Sequence, residues 1–385
     1  MTGLRVVVAS DKFKGSLTSN QVATAVGEGV RRTRPDVTVD AIPVADGGDG
    51  TLAAAVAAGF NLTPVTVTGP TGEPVRSGYA RRGETAVVEL ADASGLVRLP
   101  NGVPAPMTAT SRGTGELIAA AVANGCTRVI LGIGGGASTD GGAGLARALG
   151  ARLLDATGAM VAEGGAALTA AAALDLTALR ERLAGVEVVV ACDVDNPLTG
   201  PIGAAAVYGP QKGADPTQVE QLDGALAHWA DLVARETGRD LRDAPGAGAA
   251  GGVGFAALAL LGAGLRPGIE LILDLVGFHQ KLVGADLVIT GEGALDEQTL
   301  HGKAVAGVAA AAGAVPVVAV CGTIRLDPAR LRQAGITAVY ALTDLEPDVR
   351  RCIAEPIPLL RELGQRIAAD HLARSTMTAT ERGSA

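Results

Sequence analysis

Positive charge in this chain is carried mostly by arginine: only five of its 32 basic residues are lysine. Four of those five sit in short glycine-bearing stretches, Lys12 and Lys14 in SDKFKGS, Lys212 in GPQKGA and Lys303 in LHGKA. Lys281 alone lies in an ordinary amphipathic segment. Lysine offers a compact, mobile point charge, whereas arginine offers a rigid planar fork. Ammonium groups placed beside glycine suit anionic oxygen, as phosphate presents it.

The carboxylates keep similar company. Five loops follow strand-like runs: Ser10-Asp11-Lys12-Phe13-Lys14-Gly15-Ser16, Asp46-Gly47-Gly48-Asp49-Gly50-Thr51, the stretch from Gly134 to Gly142, Asp193-Val194-Asp195-Asn196-Pro197, and Gly291-Glu292-Gly293-Ala294-Leu295-Asp296. In open parallel sheets, ligands bind at the carboxyl ends of strands. Glycine lets backbone N–H groups face phosphate. Carboxylates can hold a Mg²⁺ that keeps its waters, or accept a substrate proton. A lone Asp-Gly pair is only a turn; five acidic loops at the same end of strands point to a shared site.

Other chemistries fit less well. The four histidines, at 228, 279, 301 and 371, lack metal-ligand spacing, and only His301 neighbours a candidate loop. There is no G-x-x-x-x-G-K-[ST] and no G-x-S-x-G. Residues 132–137 fit G-x-G-x-x-A, with Asp155 at a distance suited to a nicotinamide site. Against that reading, residues 138–142 delay the helix and Asp140 brings negative charge to where a pyrophosphate would sit. The four cysteines have no C-x-x-C spacing, which fits reduced, buried thiols in a cytoplasmic protein.

The elements that must position these loops alternate. Arg5–Ala9 and Val37–Val44 read as buried strands, and Thr18 with Gln21 forms a capping box before a helix. Leu52–Ala58 reads as a helix. From about Val65 the pattern turns to hairpins. Helix–strand alternation returns with Gly115–Ala123, Arg128–Gly132, Gly141–Leu149, Val186–Cys192 and Thr217–Arg235. Ala285–Thr290, Pro316–Val320 and Ala338–Leu342 read as strands, Lys303–Ala312 as a helix and Val349–Ala373 as one long helix. The chain is 48% hydrophobic but only 2% aromatic, so its cores are aliphatic, as in parallel sheets under close-packed helices. The fold class is α/β with mostly parallel sheet. A net charge of −8 argues against a nucleic-acid or anionic-membrane partner. The uncharged segment Ala244–Leu265 is half glycine-rich, and its apolar part is too short to span a bilayer, which takes about 20 residues.

With its loops assembled, the sequence resembles the bacterial glycerate kinases that lack a P-loop. The resemblance rests on ASDKFKGSLTSNQVATAVGEG (9–29), PVADGGDGT (43–51), GTGELI (113–118), GIGGGASTDGGAG (132–144), ACDVDNPLTGP (191–201), GPQKGAD (209–215), PGAGAAGGVG (245–254) and GEGALDEQTLHGKA (291–304). It implies ATP-dependent phosphorylation of D-glycerate, giving 2-phosphoglycerate. It also implies a Rossmann-like domain, residues 1–70 plus 285–373, interrupted by an inserted α/β domain, residues 71–284, with the cleft between them as the site and 374–385 as a frayed tail. A homodimer is compatible with this reading.

On that expectation Lys12 and Lys14 meet the glycerate carboxylate or the moving phosphoryl group, with Ser10, Asp11, Asp46 and Asp49 around the substrate. Asp193, or else Asp195, takes the proton of the attacking hydroxyl. Asp46, Asp49 and Glu292 are the Mg²⁺ candidates. Lys212 and Lys303 neutralise ATP phosphates, with Gly135, Gly136, Ser138, Asp140 and Gly251 lining the nucleotide. A hydroxy-acid sensor without turnover is the rival outside enzymology.

Overall fold

A computed structural model describes residues 3–45, 47–300 and 304–372. In chain order its strands are β1 (Arg5–Ser10), β2 (Thr38–Pro43), β3 (Asn61–Thr68), β4 (Pro74–Arg82), β5 (Thr85–Glu89), β6 (Arg128–Gly132), β7 (Arg152–Leu154), β8 (Ala173–Asp175), β9 (Glu187–Ala191), β10 (Gly264–Arg266), β11 (Leu287–Leu295), β12 (Val317–Ile324) and β13 (Ile336–Ala341). The chain divides into two compact units, Met1–Pro43 with Gly277–Ala385, and Val44–Val276. The first boundary thus falls after β2. The family resemblance implied a boundary near residue 70, but β3 pairs along its whole length with β4 and belongs to the second sheet.

The first unit is built on a five-stranded, wholly parallel sheet ordered β13-β12-β11-β1-β2. Val6, Val7, Val8 and Ala9 are fully buried, as are Val318, Ala319 and Val320, so a run of small aliphatics serves both faces. The winding reverses between β1 and β11, the kind of switch point where open α/β sheets bind ligands. The helix Ser19–Thr33 starts with the expected capping box: Gln21 N donates to Thr18 Oγ1 at 3.3 Å and Thr18 N to Gln21 Oε1 at 2.9 Å. The single helix expected over Val349–Ala373 is instead two, Val349–Ala354 and Pro356–His371. Pro356 supplies no N–H and disfavours helical backbone at Glu355, which sits at φ −130° and ψ 54°.

The second unit has a six-stranded sheet ordered β10-β9-β6-β5-β4-β3. β3, β4 and β5 form the expected antiparallel run, yet β5 also pairs in parallel with β6. β6, β9 and β10 continue in parallel. Glu89, Gly132 and Ala191 are therefore lateral neighbours at the carboxyl ends of β5, β6 and β9. Behind the sheet the helix Pro216–Thr237, capped by Asp215 and Gln218, buries Leu222, Leu226 and Trp229. β7 and β8 form a separate two-stranded sheet. The uncharged segment becomes the helix Ala249–Leu260 followed by β10. Among the described residues no helix is long and apolar enough to cross a membrane.

Candidate active site

At the strand ends of the second unit lies a cavity of about 220 Å³. Three strand-end loops wall it: Gly47 and Gly48 from the 47–50 turn, Ile133 to Gly136 after β6, and Cys192 to Val194 after β9. Leu96, Tyr208, Lys212 and Ala250 close it. The loops meet through bare backbone. A Cβ on Gly134 would come within 2.5 Å of Gly48 Cα, so neither loop could approach the other with a side chain there.

Lys212 is the buried cation of this cavity, only 3% exposed. Its Nζ donates to the carbonyl of Ser138. Burial pulls its ammonium down from the ordinary lysine value to about 8, and the charge of Asp140 opposes that shift. Gly251 makes room for it: a Cβ there would lie 2.1 Å from Ser138 O and 2.8 Å from Lys212 Nζ. Gly251 also sits at φ +70°, in a left-handed run with Ala250 and Gly252. Gly141 N donates to Gly251 O at 2.9 Å, and Trp229 Nε1 to Gly141 O at 3.0 Å, tying this turn to the core.

Asp193 lines the cavity, and its Oδ1 accepts from Gly268 N at 2.8 Å, the first turn of the helix Gly268–Leu275. That bond holds the carboxylate at the end of β9. Asp195 is exposed and stands off the cavity lining. Gly135 and Gly136 do line it.

Ser138 and Asp140 lie behind the lining and are buried. Asp140 accepts from Ser111 N and Oγ at 2.8 Å each, Gly142 N at 3.1 Å and Gly144 N at 3.2 Å. Burial pushes its carboxyl upward against those bonds. Its oxygens are spent on the protein's own amides and the Ser111 hydroxyl, so Asp140 builds the turn that leads into the helix Ala143–Ala148. The hydroxyls of Ser138 and Thr139 are buried without a hydrogen-bond partner. The dinucleotide pattern at 132–137 finds no matching acid: Asp155 caps a surface turn through Thr157 and Ala159, beside a strand outside the main sheet.

In the first unit the switch point sets the end of β1 and the loop after it beside β11, which runs on as strand through Gly291 to Leu295 where the sequence suggested a loop. Ser10 Oγ donates to Gly291 O at 3.0 Å and Asp11 N to the same carbonyl at 2.9 Å. Ser10 is fully buried, and its hydroxyl staples the end of β1 to β11. Lys12 N donates to Asp11 Oδ1 at 2.7 Å. Phe13, 3% exposed, anchors the loop in the core between a half-buried Lys12 and an exposed Lys14. Glu292 is half-buried in β11, paired in register with Cys321. Asp49 belongs to the second unit, where it borders a separate pocket with Glu89 and Asp92. Asp46 and Lys303 lie outside the described residues.

Sequence reasoning missed several wall residues. Tyr208 lines the cavity with its hydroxyl donating to Asn196 Oδ1 at 2.7 Å. Cys192, whose thiol burial pushes up, and the apolar Leu96, Ile133 and Val194 were likewise not singled out as site residues. It missed Glu89 because β5 reads as part of a hairpin run; only its parallel pairing with β6 places Glu89 at the ligand-binding end of the sheet. The available signal was a charged residue ending a buried run, AVVE.

These features define a class: a mostly parallel α/β enzyme whose strand-end loops present glycine backbone, buried ammonium and carboxylate. A profile of the glycerate kinase family matches residues 6–372. A glycerate kinase of Bacillus subtilis is 46% identical over 344 residues, 88% of this chain and 90% of that one. The glycerate 2-kinase of Escherichia coli K12 is 43% identical over 344 residues, again 88% and 90%. A crystal structure described as glycerate kinase 2 from Salmonella typhimurium LT2 superposes with a TM-score of 0.84 at 43% identity, covering 96% of this chain and 98% of that one. The chain belongs to the glycerate kinase family and is a kinase.

Proposed function

We propose that this chain phosphorylates D-glycerate with ATP at the 2-hydroxyl, giving 2-phosphoglycerate. The observation that carries the reading is Lys212, a buried ammonium in a glycine-walled cavity that also holds Asp193. Phosphoryl transfer asks mainly for positioning and charge neutralisation. Lys212 neutralises nucleotide phosphate, with Gly135 and Gly136 giving close backbone approach and Gly251, behind the lining, making room for the ammonium. Asp193 orients the attacking hydroxyl and accepts its proton as oxygen attacks the γ-phosphorus and ADP leaves. Asp195, off the lining, has the weaker geometric case. Lys12 and Lys14 are the proposed contacts for the glycerate carboxylate or the moving phosphoryl group, with Asp11 among the proposed substrate-binding residues. The proposed Lys303 contact to ATP falls outside the described residues.

Mg²⁺ is usually held by one or two carboxylates plus substrate phosphates. Among the described residues no trio of His, Cys, Asp or Glu is arranged as a resident metal cage. Asp46, Asp49 and Glu292 are the proposed carboxylates for a Mg²⁺ that would arrive with the nucleotide and supply charge neutralisation; Asp46 falls outside the described residues.

ADP release measured with D-glycerate, L-glycerate, glycolate and D-lactate tests the substrate. The proposal expects turnover with D-glycerate far above the others. Binding of D-glycerate without ADP release would instead indicate a hydroxy-acid sensor and overturn the proposal.

A further inference from the structure

The turn that lines the cavity with Gly47 and Gly48 continues into the seven-residue helix Thr51–Ala57, whose N-cap, Gly50, has no side chain to satisfy the first amides. Glu89 does so from another element. It ends β5, is 6% exposed, accepts from Gly50 N at 3.2 Å on each oxygen, and accepts from Leu52 N at 2.8 Å on Oε2. Gly50 is left-handed at φ +103°, so the turn holds an unusual backbone shape at the point Glu89 grips.

We propose that Glu89 is a positioning residue for the reaction, latching the 47–52 turn against the ends of β5 and β6 so that Gly47 and Gly48 keep the cavity wall in place. Glu89 touches no cavity ligand; it acts through Gly50 and Leu52. The idea that the latch serves catalysis rests on the kinase reading of the cavity, whereas the latch itself does not.

The carboxylate form makes the latch, because an ionised carboxylate accepts amides more strongly than the acid does. Three charged groups face Glu89 across a small pocket: Asp49 on the turn itself, Asp92 on the next short helix, and Arg98, which is paired with Asp92. Ser77 on β4 donates to Asp92 at 2.7 Å. Burial first, then the charges of Asp49 and Asp92, raise the Glu89 carboxyl above the usual range, while the Leu52 and Gly50 amides oppose them. Protonation, and with it release of the turn, then begins at a milder acidity than for an exposed glutamate.

The test is Glu89→Gln, which keeps shape but sets an NH₂ group among amide donors. Amide exchange at Gly50 and Leu52, corrected for intrinsic rates, should speed at least about tenfold while β6 and β9 stay protected. kcat/KM should fall about tenfold or more, and the acid limb of the wild-type pH profile should flatten. Unchanged exchange at Gly50 and Leu52 overturns the latch. Faster exchange with wild-type kcat/KM and an intact acid limb overturns the positioning role. If Glu89→Gln does not fold, acidifying the wild type must still speed corrected exchange at Gly50 and Leu52 before β6; simultaneous loss overturns the proposal. Absence of kinase activity in the wild type would be a failure of the functional reading, and the exchange data would still decide the latch.

Discussion

At the scale of single residues, Lys212 and Asp193 carry the account. The Lys212 ammonium in the free protein loses its proton near pH 8. Nucleotide phosphate would hold it charged, so above pH 8 binding should take up a proton. Affinity should then weaken by up to about tenfold per pH unit. Calorimetry at pH 8.5 in two buffers of different ionisation enthalpy reads this; zero proton uptake contradicts the contact. The folded-state value is lowered, so between about 8 and the ordinary lysine value the unfolded chain holds more protons. This group alone then makes stability rise with pH in that window, a rise that Lys212→Met should remove. Asp193→Asn should lower kcat at least about 100-fold, the usual scale for losing acid–base help. Near-normal turnover would remove Asp193 from the mechanism. Lys212 and Asp193 were legible in the sequence because charge beside glycine or at a strand end is a strong local signal. Asp140 was legible as important but not in its role, since its partners Ser111, Gly142 and Gly144 converge only in the fold.

At the scale of elements, the turns decide what the side chains can reach. Gly251→Ala would force a Cβ against Ser138 O and a left-handed alanine, and should destabilise by about 2–4 kcal/mol. Ala250→Gly, one residue earlier and already left-handed at φ +52°, should change stability by less than about 1 kcal/mol. Thermal or urea unfolding of the pair checks the contrast; equal effects would contradict the close-approach argument. The Thr18–Gln21 cap and the strands β1, β6 and β9 were legible from local pattern. The break at Pro356 was also written in the sequence, but the apolar periodicity running through it suggested continuity. β5 was not legible, because one strand can be antiparallel to its first neighbour and parallel to its second, and only long-range pairing reveals which end faces the ligand.

At the scale of the whole molecule, a mostly parallel α/β chain of the glycerate kinase family carries its candidate groups at strand ends in both units. The class of fold was legible because aliphatic runs alternate with amphipathic ones. The unit boundary after Pro43 was not, since the hairpin pattern begins later than the boundary itself. The most direct test of the central claim follows NADH oxidation with ATP, Mg²⁺ and D-glycerate in the presence of enolase, pyruvate kinase and lactate dehydrogenase, without mutase or added phosphoenolpyruvate. Only 2-phosphoglycerate can feed that chain. The account predicts oxidation at the same rate as in a parallel assay with phosphoenolpyruvate added and enolase left out, which counts ADP alone. Oxidation only in the parallel assay would mean phosphorylation at another hydroxyl and would contradict the account.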